Sequence, residues 1–332
     1  MIGIGLKRNL KMSMFNVKYT PAQKSLSDIP VVFLSFDEPN ADENWKHLKT
    51  LVSHSKISRV HGVVGFDTAH KAAATEFASS PYIITVDADS KVDDNFFKKK
   101  APDEMNGNIS FTWGARQYTN GLMYGNGGLK LWSTNHLSNM RSHELANNER
   151  DAIDFCWDFN RYKEMPGCSS TVYTNGSPYQ AFRVGFREGV KLSMEQGRVL
   201  AFDEWSTTMH AANYQRLLTW MSFGADVEHG MWSIYGARLA VKMLQYDNFD
   251  YVNIRDYIWF KDFFATHANA DPIKGSKSLG KKLSEGLNFI LPDFDSDQSY
   301  FLKMLQLHPA NSLTHDDVKW RTNLKMYGWF NG

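Results

Sequence analysis

With 332 residues, 42% of them hydrophobic and 22% charged, the chain can bury a sizeable core, which excludes global disorder. A formal net charge of +1 lacks the basic surplus of a protein built to coat nucleic acid, and Cys156 and Cys168 alone make neither a disulfide framework nor a Cys-x-x-Cys knuckle. No apolar run reaches membrane-spanning length, and Met1 to Ser13 has lysines but no continuous apolar stretch; the expectation is a chain without secretory leader or stable membrane insertion, with reduced thiols, working in a cytoplasm.

In chain order, residues 1–30 are mixed and polar and read as an N-terminal arm, a lid or a loosely packed segment. Val31 to Phe36 is a short apolar run suited to a buried strand, ended by Asp37-Glu38-Pro39-Asn40. Glu43 to Val52 reads as a helix with Trp45, Leu48 and Val52 on one face and Asp42 as N-cap. Arg59 to Val63 is a second strand, and Thr68 to Phe77 a second helix capped by Asp67 or Thr68. Tyr82 to Val86 is a third strand, stopping at Asp87. Strand, helix, strand, helix, strand in this order predicts an α/β, Rossmann-like fold with a mostly parallel central sheet flanked by helices. Further on, Ile109 to Trp113 reads as another strand, and Leu129 to Trp132 leaves a glycine-rich loop, Gly121 to Gly128. Ser177 to Met194, Thr207 to Phe223 and Tyr235 to Leu244 read as helices, giving a helix-rich C-terminal part. Asp271 to Lys282, with Pro272, Gly275 and Gly280, reads as a mobile basic loop. The divisions expected are the arm to residue 30, an α/β half over 31–135, and a helical part over 136–332 of the same domain.

Ligands of parallel α/β sheets sit beyond the carboxyl ends of the strands, and Asp37, Glu38, Asp87 and Asp89 all fall there. Asp87-Ala88-Asp89 directly follows an apolar strand, so its carboxylates are presented at one rim; hard divalent cations take such oxygen ligands. A cation there would stabilise the negative charge of a departing diphosphate.

Residues 31 to 97 resemble the nucleotide-sugar half of GT-A glycosyltransferases, closest to the family 2 type. Ser35-Phe36-Asp37-Glu38 stands where the family has an acidic residue holding the nucleoside. Asp67, His70 and Lys71 lie in a helix matching the one near the base and diphosphate. Asp87-Ala88-Asp89-Ser90, then Val92-Asp93-Asp94-Asn95-Phe96-Phe97, is similar to the family's metal motif and its continuation. The resemblance implies a glycosyltransferase with Mn²⁺ or Mg²⁺ as cofactor, a UDP-sugar donor, and metal ligands Asp87 and Asp89. Gly127 and Gly128 resemble a segment lining the donor-sugar site, a plain tight turn being the other reading. His267, followed by Lys274, resembles a late histidine metal ligand with a lysine over the diphosphate; His210 and His229 are rivals for the histidine. The base that would deprotonate an acceptor hydroxyl is expected among Asp151, Asp154 and Asp158, which at helical spacing share one face; a solvated face fits them equally, and Glu188 is a weaker choice.

The wording of residues 32 to 94 also resembles glycosyltransferases of T-even-like bacteriophages, which points to hydroxymethylcytosine in double-stranded phage DNA as acceptor and to arabinose or glucose as the sugar. Lys98, Lys99, Lys100 and lysines 274, 277, 281 and 282 are the candidates for phosphate contacts. A saccharide, lipid-linked glycan or protein acceptor is the alternative, as is a nucleotide-sugar binder without catalysis.

Overall fold

The computed structural model describes residues 24–105, 109–124, 128–141, 162–195 and 197–307. The strands are β1 (Val31–Ser35), β2 (Ile57–His61), β3 (Tyr82–Asp87), β4 (Ser90–Val92), β5 (Ser110–Gln117), β6 (Met123–Tyr124), β7 (Leu129–Ser133), β8 (Tyr162–Val172), β9 (Met194–Glu195) and β10 (Arg198–Val199). The helices are α1 (Ala41–Leu51), α2 (Phe66–Glu76), α3 (Thr134–Asn139), α4 (Pro178–Leu192), α5 (Ala211–Trp220), α6 (Gly230–Tyr246), α7 (Tyr257–Ala265), α8 (Pro272–Leu287) and α9 (Ser296–Leu307). No described helix is long and apolar enough to cross a membrane.

The main sheet has the order β2-β1-β3-β7-β5-β8-β4, with β6 paired to β5. β1 is parallel to β2 and β3; β7 runs against both β3 and β5; β5 and β8 are parallel. Strands β1, β2, β3, β5 and β8 therefore end at one edge, and this is the Rossmann-like α/β fold that the alternation of apolar runs predicts. The strands are apolar because both faces are covered. Val31, Phe33, Ile84, Val86, Phe111 and Leu131 pack into one cluster, whereas Val32, Leu34, Ile83 and Trp132 face the other with Ala73 and Ala74 of α2.

The arm is less loose than expected where it is described. Leu26 and Ile29 are buried in the main core, and the Leu26 and Ala101 amides tie residues 24–26 to 99–101. The first two helices start earlier than expected. Asn40 precedes α1, and Asp42, expected as its cap, instead meets Arg59 at 2.7 Å. Gly65, at φ 94°, precedes α2, a left-handed conformation that an Asp67 or Thr68 cap does not require.

The helical half is built on α4 crossing α6 at backbone distance. A Cβ at Gly185 would strike the Ser233 carbonyl, and one at Gly189 would lie 2.7 Å from the Ala237 oxygen. The segment expected to be a basic loop is helix α8. Asp271 caps it, accepting from the Ile273 and Lys274 amides at 3.0 and 3.1 Å, and Pro272 takes the first helical position. Its glycines are contact residues and do not break the helix: a Cβ at Gly275 would fall 2.6 Å from the Tyr235 ring, and Gly280 lies against Arg238.

Arg238 ties this half together. Its side chain is 1% exposed and donates to the Met221, Ser276 and Pro292 carbonyls and to Asp293 at 2.6–2.8 Å. Truncation would remove the partner that the Met221 and Pro292 carbonyls and the Asp293 carboxylate have in this side chain. Arg238→Ala is expected to lower unfolding stability by about 3–5 kcal/mol, read from the urea midpoint; an unshifted midpoint would mean that α6, α8 and the 291–293 segment hold without it.

Candidate functional site at the carboxyl edge of the sheet

The turn after β3 is held from four sides. The Asn44 side chain on α1 donates to the Ala88 carbonyl at 2.8 Å, and the Tyr173 amide beyond β8 donates to the Asp89 carbonyl at 2.8 Å. The Asp87 amide donates to the Gly128 carbonyl at 2.8 Å, and Ser90 pairs with Val172 in the β4–β8 ladder. Gly128 is constrained by this turn: a Cβ there would lie 2.6 Å from both the Asp87 Cβ and the Ser90 Oγ. Its missing side chain makes room for the acidic turn itself. Gly127, the other glycine expected to line the site, lies outside the described residues.

The turn gathers like charges. Burial pushes the Asp89 carboxyl up to about 7, with the charges of Asp87 and Glu38 adding to the rise and the Ser90 hydroxyl and Lys130 opposing it. Glu38, in the turn after β1, is also raised by burial, although its carboxylate accepts from the Phe36 amide at 2.7 Å; Asp87 and Asp37 push in the same direction. The charges of Asp87 and Glu38 thus reach Asp89, and that of Asp87 reaches Glu38.

The other expected donor residues are spread more widely. Ser35 ends β1, where its hydroxyl lies 3.0 Å from His61 Nδ1 and accepts from Arg59 Nε at 2.8 Å. Asp37 is exposed beside it, close enough to Tyr179 of α4 to influence that phenol. His70 is a core residue: 2% exposed, it has Nδ1 2.9 Å from the Phe66 carbonyl and its ring 4.0 Å from that of Phe66. Burial lowers its pKa while Asp87 pulls the other way, so it backs the acidic turn as a neutral ring. Asp67 is likewise buried in the first turn of α2, and Lys71 is half-buried on the same helix.

Two expectations are not met. His267 closes α7 within the aromatic cluster of the helical half, stacked 5.8 Å from Phe182, with Nδ1 3.0 Å from the Phe263 carbonyl. Among the described residues no three His, Cys, Asp or Glu side chains form a metal-holding group, so His267 does not join Asp87 and Asp89. Its rivals are helix-start residues: His210 accepts from the Ala212 amide, and His229 precedes α6 with φ 57°. Lys274 stands 87% exposed on α8 beside Asp271, on a helix rather than a lid loop. Asp151, Asp154, Asp158 and Cys156 lie outside the described residues. Glu188, half of a 2.6 Å ion pair with Lys191, is committed to α4.

Asn44 and Tyr173 escaped the sequence reading. Asn44 had a legible signal, a lone polar side chain on the stripe Ala41, Asn44, Leu48 that α1 buries. Tyr173 acts through its amide, which no side-chain pattern reveals.

A carboxyl raised from 3.8 to about 7 on folding binds its proton more tightly in the native state. Below pH 4 both states are protonated and nothing is lost. As pH climbs toward 7 the native state must shed a proton it holds better, so stability falls by ~1.4 kcal/mol for each tenfold difference in proton affinity between the two states. Asp89→Asn is expected to raise the metal-free melting temperature at pH 8 and to leave it nearly unchanged at pH 4. An equal effect at both pH values would show that charge is not the cause.

No family model matches the chain. No curated protein matches it either. Among solved structures, one described as a glycosyltransferase involved in the glycosylation of the major capsid of PBCV-1 is similar over 45% of this chain and 83% of its own, at 17% identity and a TM-score of 0.27.

Proposed function

We propose that the chain is a glycosyltransferase that takes its sugar from a nucleotide-sugar, with a divalent cation at Asp87 and Asp89. The observation that carries this reading is the rigid acidic turn: two carboxylates two residues apart, fixed at the carboxyl edge of the parallel strands by Asn44, Tyr173 and Gly128. The donor set fits a hard cation. Mg²⁺ and Mn²⁺ sites commonly use one or two carboxylates and fill the remaining positions with substrate phosphate and water, so a third protein ligand is not required. Such a cation, when bound, supplies Lewis-acid neutralisation of the departing diphosphate. The chain's own residues would do the rest: in this reading Asp37 and Glu38, in the turn after β1, orient the nucleoside. A base from Asp151, Asp154 or Asp158 remains part of the proposal.

The acceptor proposed is hydroxymethylcytosine in DNA, with arabinose or glucose as the sugar. Its structural support is α8, whose exposed Lys274, Lys277, Lys281 and Lys282 form a basic helix surface suited to phosphates.

Calorimetry with UDP, with and without Mn²⁺, tests the donor site. Tight binding by wild type should require the metal and vanish in Asp89→Ala, while circular dichroism stays unchanged; metal-independent binding of equal strength in that variant would sink the assignment. For the acceptor, transfer to duplex DNA should fall steeply with salt, and replacing Lys277 and Lys281 by Gln should flatten that slope by roughly one to two charges. A flat dependence would instead favour an uncharged acceptor.

A further inference from the structure

Lys130 is a charged residue on the inner strand β7, with only 2% of its surface exposed. The ladders fix which face of the sheet it occupies. β7 pairs Lys130 with Thr85 of β3, and β1 pairs Val32 with Thr85 and Leu34 with Asp87. Paired residues share a face, and Val32, Leu34, Ile83 and Trp132 pack toward α2. Thr85, Asp87 and Lys130 therefore stand on the α2 face, where Trp132 Nε1 donates to the Thr85 hydroxyl at 2.8 Å. To this face α2 brings Asp67 and His70, both buried.

Gly128 brings this lysine and the acidic turn together. It lies two residues before Lys130 on the same strand, so a side chain there would share the face of Lys130, about 7 Å away along the strand. The Asp87 Cβ takes that place, 2.6 Å from where a Gly128 Cβ would be. The four-carbon stem of a lysine covers such a gap. The charge of Lys130 accordingly reaches Asp89, where it opposes the rise of the carboxyl, and His70, which it helps to keep neutral.

We propose that Lys130 is a built-in counter-ion of the acidic turn, whose charge keeps the free turn a weak cation site, so that a divalent cation settles there together with a diphosphate and not ahead of it. A fixed positive charge beside the two carboxylates repels a bare divalent cation. A cation that arrives on a diphosphate brings little or no net positive charge, so the repulsion largely disappears. Buried under α2, Lys130 does not touch a substrate; it is a positioning residue that sets cation affinity through Asp87 and Asp89. The arrival with a diphosphate rests on the glycosyltransferase reading; the counter-ion role concerns the turn alone.

The test is Mn²⁺ titration at pH 8, followed by the paramagnetic resonance of the free ion, on wild type and Lys130→Met, each with and without UDP. Wild type should bind Mn²⁺ weakly alone and much better with UDP. Lys130→Met should bind Mn²⁺ alone more tightly by roughly tenfold or more, and UDP should improve its affinity by a smaller factor. The metal-free melting temperature of the variant should fall, and Mn²⁺ should raise it by more than it raises that of wild type. A lysine with a merely structural role would lower melting temperature and cation affinity together. Lys130→Arg, which keeps the charge, should keep the weak wild-type affinity. Should Lys130→Met fail to fold, Lys130→Gln carries the same expectation. Equal or weaker Mn²⁺ binding in a folded neutral variant, or tighter binding that survives Asp89→Ala, would overturn the counter-ion. Tighter binding in Lys130→Met with UDP affecting neither protein would instead overturn the glycosyltransferase reading and leave the counter-ion standing.

Discussion

Like charges brought together at a strand end repel, and the rest of this architecture is arranged to hold them there. Asp89 and Glu38 bind their protons more tightly because burial and the neighbouring negative charges, that of Asp87 among them, act in the same direction. The restraint comes from backbone and amide groups. The turn is bonded to α1 through Asn44, to the loop before β7 through Gly128, and to the chain after β8 through Tyr173. These three segments are far apart in sequence and converge only because the sheet order places β3, β7, β8 and β4 in one surface.

That restraint has a cost in stability. A turn that holds this repulsion in the native state is relieved of it when a proton arrives, so loss of charge at Asp89 is expected to stabilise the fold. The neutral core histidine, His70, fits the same scheme. A charged ring behind the turn would neutralise part of the repulsion internally, and burial beside Phe66 and Trp132 prevents it.

The helical half has a different organising contact. The α4–α6 crossing places backbone against backbone, and Arg238 of α6 joins this pair to the Met221, Ser276 and Pro292 carbonyls. This rigid block carries α4 to the edge of the sheet, where its first turn packs on residues 39 and 40 and Tyr179 lies near Asp37. The two halves thus meet at the acidic edge.

The sequence by itself determined the α/β pattern, the three parallel strands β1 to β3, and the acids at their ends, because continuous apolar runs and strand-end polarity are local signals. It misread α8, since glycines required for contact with Tyr235 and Arg238 look the same as glycines that break a helix. It passed over β8, whose Pro166 and Gly167 sit in a stretch where the β5 register shifts. Its choice of His267 failed for a related reason: a histidine's role depends on its neighbours, and those supplied by the helices are Phe182, Tyr235 and Phe263. Only the tertiary structure decided which groups clamp the acidic turn, because these follow from contacts between segments that the chain order keeps apart.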